Sequence, residues 1–115
     1  MSRLMLRPRV QPWETYATIV SVDTGDSITV DVEQSPWAER ILTVNLTDIR
    51  APSLDEPDGQ TSRDALSVML PKGAHVKVVG YHFETYGILR ATIYHPDMER
   101  SVNNWMVASG YAIPM

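Results

Sequence analysis

The stretch Ala17-Thr18-Ile19-Val20-Ser21-Val22-Asp23-Thr24-Gly25-Asp26-Ser27-Ile28-Thr29-Val30-Asp31-Val32 decides the fold class. β-Branched residues dominate on both sides of a short polar break, and such residues suit a pleated, half-buried strand. Before the break, Tyr16, Thr18, Val20 and Val22 alternate with Ala17, Ile19 and Ser21. After it, Ile28, Val30 and Val32 alternate with Ser27, Thr29 and Asp31. This period of two predicts two strands. Between them, Asp23-Thr24-Gly25-Asp26 supplies turn chemistry, because glycine permits positive φ and aspartate bonds back to its own backbone. The stretch therefore reads as a β-hairpin.

Working outward toward the C-terminus, Ser35-Pro36-Trp37 marks a loop, and a third strand follows over 40–47 with Leu42, Val44 and Leu46 on one face. Residues 51–60 carry two prolines, a glycine and three acids, which predicts a long polar loop. Thr61 or Ser62 is the expected N-cap of a helix whose apolar face holds Ala65, Leu66, Met69 and Leu70, and which Pro71-Lys72-Gly73 ends. Strands are expected over 75–81 and 88–94, with Val76 and Val78 aligned in the first and Leu89, Ala91 and Ile93 sharing a face in the second. Ser101 caps a last short helix carrying Val102, Trp105 and Met106, and Gly110 is its expected C′ residue. The order is β-β-β-α-β-β-α. An α+β, mainly β fold of five short strands with a helix between the third and fourth suits the Greek-key barrel of an OB-fold.

Toward the N-terminus, residues 1–13 read as an extension and 14–115 as a single domain. Pro8 and Pro12 disfavour regular structure, and Trp13 is placed to anchor the tail. The length of 115 residues suits one domain rather than two. A 43% apolar fraction is enough for one core, and 21% charged residues argue against wholesale disorder. With no cysteine, disulfides and thiolate sites are excluded. Arginines interrupt any apolar run near the start, so no secretory segment is expected; the chain reads as cytoplasmic or as part of an assembled particle, with no membrane partner. A net charge of −4 disfavours nucleic acid, since phosphate binding depends on Lys and Arg. The main basic cluster is Arg3, Arg7 and Arg9, either a solvated tail or an interaction arm.

Four segments resemble, in order, the staphylococcal nuclease (thermonuclease-like) family. Ala17 to Val22 with Gly25-Asp26-Ser27-Ile28 resembles its first hairpin, which usually reads Asp-Gly-Asp-Thr. Leu46 through Pro52 resembles its Arg-Leu-x-Gly-Ile-Asp-Ala-Pro-Glu segment, Ile49, Ala51 and Pro52 matching. Tyr86-Gly87 with Leu89-Arg90-Ala91 resembles Tyr-Gly-Arg-x-Leu-Ala. Ser101-Val102-Asn103 through Gly110-Tyr111-Ala112 resembles its closing helix.

The resemblance implies a site for phosphodiester hydrolysis in DNA or RNA: carboxylates holding Ca²⁺, a glutamate directing water and two arginines on the phosphate. Each part is sound chemistry, because hard cations take oxygen ligands and guanidinium forks suit phosphate. Asp26, with Asp23 near it, stands at a metal position. The second metal aspartate is replaced by Arg50, the first arginine by Asn45, the glutamate by Ser53 and the second arginine by Ile88. Loss of one electrostatic donor costs about 100- to 1,000-fold in rate, so these replacements together predict no useful turnover. A migrated site would use Arg90, two residues from Ile88, and Asp55 or Glu56.

No metal spacing links His75, His82 and His95, and Trp13, Trp37 and Trp105 read as packing groups. Three functions are thus expected in order. The first is a catalytically inactive domain serving as a binding or structural module, with a protein partner in a larger assembly such as a viral particle, and no cofactor. The second is a nucleic-acid-binding OB domain without cleavage, using Arg50, Tyr86 and Arg90. The third is a divergent Ca²⁺-dependent nuclease.

Overall fold

The computed structural model describes residues 12–33, 40–84 and 87–115. The elements run β1 (Trp13–Thr24), β2 (Ser27–Val32), β3 (Ile41–Leu46), β4 (Ile49–Arg50), α1 (Gly59–Met69), β5 (His75–Phe83), β6 (Leu89–Tyr94), α2 (Val102–Ala108) and β7 (Ile113–Pro114). Five strands close a barrel in the order β1-β2-β3-β6-β5, and β5 returns to pair with β1. All its pairs are antiparallel except β3 with β6, which run parallel. With α1 between the third and fourth barrel strands, this is the expected α+β, OB-like order. The small β4 and β7 pair outside the barrel, Ile49 with Pro114 and Arg50 with Ile113. Neither was legible as a strand, because two residues carry no periodicity.

The alternating residues of β2, β3, β5 and β6 fill the barrel: Ile28, Val30, Val32, Leu42, Val44, Leu46, Val76, Val78, Leu89, Ala91 and Ile93 are all buried. Full burial of each aliphatic side chain is worth about 1.5–3 kcal/mol, so this layer dominates the favourable side of folding. β1 departs from simple alternation. Thr15, Ala17 and Ile19 face inward, and then Val22 does. Ile19 pairs with Val30 but Ser21 with Thr29, so Val20 is an extra residue; Asp23 is a second one before Thr24 pairs with Ser27. A bulge reverses the inward face and bends the strand. That bend lets β1 serve β5 with its first half and β2 with its second. The period-two grouping of Val20 with Val22 fails for this reason.

Helix α1 begins earlier than Thr61 or Ser62. Its N-cap is Asp58, with φ 68° and no side-chain cap bond. The Asp58 carbonyl accepts the first helical bond from Ser62 N–H at 2.9 Å. The Ser62 hydroxyl is used elsewhere, donating to the Tyr111 carbonyl at 2.7 Å. Gly59 allows this early start, because a Cβ there would run into the Ser53 backbone carbonyl. Leu66 and Leu70 are buried beneath the helix, and Arg63 Nε donates to the Val22 carbonyl at 3.2 Å.

Helix α2 follows its sequence closely. Ser101 accepts from Asn104 N–H, and Val102 and Met106 are buried. Gly110 N–H donates to Val107 and Tyr111 N–H to Met106, which satisfies carbonyls otherwise orphaned at the helix end. Trp105 packs beside Tyr111, ring centroids 5.8 Å apart. Asn103, 5% exposed, accepts from Ile93 N–H at 3.0 Å and donates to the carbonyls of Thr47 (3.0 Å) and Ala91 (3.1 Å). It bolts α2 across the parallel β3–β6 seam. Among the described residues no helix is long and apolar enough to cross a membrane.

Candidate functional site

The residues singled out by sequence gather at one end of the barrel, around the β1–β2 turn, the 51–58 loop and the start of β6. Asp26 sits in the turn. Its Oδ1 accepts from the Thr24 hydroxyl at 2.9 Å, and its Oδ2 accepts from the backbone N–H of buried Ala51 at 2.9 Å. Its own carbonyl accepts from Leu46 N–H at 2.8 Å. Oδ2 therefore fastens the hairpin to the loop that follows β4, while Oδ1 closes the turn on itself. Gly25 beside it is equally committed: an added Cβ would come 2.7 Å from Ala51 Cβ and 2.8 Å from Ser62 Cβ. Asp23 faces neither Asp26 nor the loop. It accepts from the Ser21 hydroxyl at 2.9 Å and the Thr29 hydroxyl at 2.8 Å, closing the second bulge of β1.

The 53–56 turn is self-contained. Glu56 Oε1 accepts from Ser53 N–H at 2.8 Å, and Glu56 N–H donates back to the Ser53 carbonyl at 2.9 Å. The Ser53 hydroxyl lies 2.6 Å from Asp55 Oδ1 and 2.9 Å from Glu56 Oε1, with a single proton to offer. The hydrogen bond from the Ser53 hydroxyl, then that from its own N–H, holds the Asp55 carboxyl below its usual range. Glu56 is lowered first by the Ser53 N–H, then by the Ser53 hydroxyl, with a smaller contribution from Arg50. Arg50 Nη2 lies 3.8 Å from Glu56 Oε1 across an exposed contact. Thus the Arg50 guanidinium is directed to the loop acid.

Asn45 and Arg90 meet as register partners on the parallel strands β3 and β6. Glu84 lies against both: Asn45 Nδ2 donates to its Oε1 at 3.4 Å, and Arg90 Nη1 is 3.7 Å from its Oε2. Sequence reasoning placed Arg90 near the vacated arginine position, and the register sets it beside Asn45. It missed Glu84, because no spacing in the chain marks a strand-end acid that closes onto two neighbouring strands. Ile88, half-buried, precedes β6 and uses its carbonyl to accept Glu84 N–H at 2.8 Å. Tyr86, Arg3, Arg7 and Arg9 lie outside the described residues, as does Trp37.

Ca²⁺ is held by several oxygen ligands at once. Among the described residues no group of three or more His, Asp or Glu side chains is placed to hold a metal ion. Each Asp26 carboxylate oxygen accepts one bond, from Thr24 and from Ala51, and the Arg50 guanidinium lies 3.8 Å from Glu56. Asp55 and Glu56 are turned onto Ser53 rather than toward Asp26. A groove of about 500 Å³ does open beside this end, between the 50–58 loop, the first turn of α1 and residues 110–113, with Arg50, Glu56 and Tyr111 on its walls. Neither Asn45 nor Arg90 lines it, so the groove and the Asn45–Glu84–Arg90 cluster are separate features. No known protein family matches this chain. No characterised protein matches it either.

Proposed function

We propose that the chain is a nuclease-like OB barrel retained as a binding or structural module rather than as an enzyme, and that its partner is a protein within a larger assembly. The observation that carries this reading is the Asp26 carboxylate bonded to the Ala51 N–H and the Thr24 hydroxyl. Each oxygen keeps a further lone pair, but the two bonds clasp the carboxylate to the chain, and among the described residues no group of three or more acidic or histidine side chains stands ready to hold a cation. The staphylococcal-nuclease likeness rests on the four sequence segments and on the OB-like barrel.

Charge favours a protein partner over nucleic acid. Seven Lys and Arg residues fall within the described residues. Five of them, Arg40, Arg50, Arg63, Lys77 and Arg90, lie within 4.0 Å of a carboxylate. Their field is cancelled locally, and little is left for counterion release from a phosphate backbone. The neighbouring pair Asn45 and Arg90 supports the second reading, binding of single strands without cleavage; that reading requires binding that falls steeply with salt.

The test is a cleavage assay on single- and double-stranded DNA and RNA with Ca²⁺, beside Asp26→Ala, together with a pull-down with and without residues 1–12. The proposal expects no cleavage by either protein and loss of a co-purifying protein on truncation. Cleavage by the natural chain that disappears in Asp26→Ala would overturn it.

A further inference from the structure

A second groove, about 450 Å³, lies on the outer surface of β1, β5 and β6, and its walls include Tyr16, Lys77, Tyr94, Pro96, Met98 and Glu99. None of these residues belongs to the site described above. Tyr16, Lys77 and Tyr94 form one row across three strands, because Tyr16 pairs with Lys77 and Lys77 with Tyr94. Tyr16 is 59% exposed, an unusual investment of aromatic surface. Lys77 Nζ sits 5.1 Å from the centre of the Tyr94 ring and 3.9 Å from Glu14 Oε1. Glu14 lies two residues before Tyr16 and so shares its face. Glu33 Oε1 stands 4.0 Å from His75 Nδ1, and Glu33 N–H bonds the Tyr16 carbonyl at 3.1 Å. The groove thus combines Tyr16, Tyr94, Pro96 and Met98 with Lys77, His75, His95 and Glu99, and Glu14 and Glu33 stand beside Lys77 and His75.

We propose that this groove receives residues 1–11 of a second copy of the chain. The proposal deepens the preceding one by naming a partner and the surface that binds it. Residues 1–11 contain three arginines, no acid, and the apolar side chains of Leu4, Met5, Leu6 and Val10. The described residues hold thirteen acids against seven Lys and Arg, a net of −6. Arm repels arm and body repels body, so the attractive pairing is arm on body. Arginine also stacks well on an exposed tyrosine face, which Tyr16 offers.

Register argues for another copy rather than self-docking. β1 pairs Trp13 with Gly80, then Tyr16 with Lys77, then Thr18 with His75. The groove therefore lies downstream of the point where the chain enters the barrel, and residues upstream of Pro12 must reverse direction to reach their own groove. Eleven residues extend to at most about 36–40 Å, enough to bridge to a neighbour. Exchanged reciprocally between two copies, the arms close a two-fold dimer; passed from copy to copy, they build a ring or an open row.

The absence of cysteine gives a clean experiment on the full chain. Ser2→Cys carries a single nitroxide, and the labelled protein is mixed with isotopically enriched, unlabelled protein. The proposal expects paramagnetic broadening between molecules at the amides of Tyr16, Lys77, Tyr94 and Met98. It should weaken in about 1 M salt, where the Debye length is near 3 Å. Tyr16→Ala combined with Glu14→Lys should weaken self-association in sedimentation by at least about tenfold. Broadening confined to the labelled molecule itself, or absent from the groove, would overturn the proposal. Metal-dependent cleavage alongside intact groove broadening would instead overturn only the non-catalytic reading.

Discussion

The two grooved regions of this barrel use their polar groups in opposite ways. At the turn-and-loop end, Asp26, Ser53, Asp55 and Glu56 bond to the chain itself, and Arg50 closes onto Glu56. On the β1–β5–β6 face, Tyr16 stands exposed and Glu99 lines the groove. A carboxylate that accepts a buried N–H supports the fold, and removing it leaves that N–H unpaired. Tyr16, 59% exposed, contributes little to the fold and offers its ring to the proposed partner. The barrel end where the family resemblance sets catalysis is therefore the end most committed to folding.

The largest expected effect falls on that committed end. Gly59→Ala drives a Cβ into the Ser53 carbonyl, and backbone cannot yield as a side-chain tip does. A loss of about 3 kcal/mol or more is expected in urea unfolding. A loss below about 1 kcal/mol would show that the 53–59 loop is not packed as described.

Asp26 divides the clasp from the metal ligand more sharply. Asp26→Ala leaves the buried Ala51 N–H without an acceptor and should cost about 1–3 kcal/mol. Asp26→Asn keeps an acceptor oxygen and should cost less than about 1 kcal/mol, since a neutral acceptor gives a weaker bond. Equal losses in the two variants would mean that charge, rather than acceptance, is what the position supplies.

Arg50→Ala should change stability by no more than about 0.5 kcal/mol. Its contact with Glu56 is 3.8 Å long, and both side chains are largely exposed, so solvent screens it. A larger loss would give Arg50 a structural part that the geometry does not assign. Tyr16→Ala should likewise leave the unfolding midpoint nearly unchanged, in contrast with Asp26→Ala.

The smallest effect is one of titration. Ser53→Ala removes the hydroxyl that lowers both Asp55 and Glu56, so both carboxyls should titrate higher in NMR. Asp55 should respond more, because the hydroxyl is its first cause; Glu56 keeps the Ser53 N–H. The sign follows from the depressed folded values. Whatever stability these bonds add is present above the unfolded carboxylate pKa and is lost as pH falls through the lower folded values. Unmoved titrations would mean that the 53–56 turn is not closed in solution.

Much of this barrel was legible because its strands alternate cleanly. Ile28, Val30 and Val32, or Leu89, Ala91 and Ile93, announce their inward face by type and spacing alone. Three things were not legible. The bulges at Val20 and Asp23 depend on the register with β2, which β1 does not encode by itself. The start of α1 at Gly59 depends on space beside the Ser53 carbonyl, a tertiary constraint that overrode the capping preference of Thr61 and Ser62. At the site, the resemblance marked positions that differ in chemical type from the family pattern, yet nothing in the sequence signalled that Asp26 reaches Ala51, twenty-five residues away. Nor could it show Glu84 joining Asn45 to Arg90, since that meeting arises only from the parallel β3–β6 pair.

Asp26 fastens the hairpin to the 51–58 loop, and the proposed function gives it no metal to hold. The most direct measurement is thermal unfolding of the natural chain and of Asp26→Asn with and without millimolar Ca²⁺. Anything that binds the folded state alone raises the midpoint in proportion to its saturation. Ca²⁺ is expected to leave both midpoints where they were. A Ca²⁺-dependent rise in the natural chain that vanishes in Asp26→Asn would contradict it.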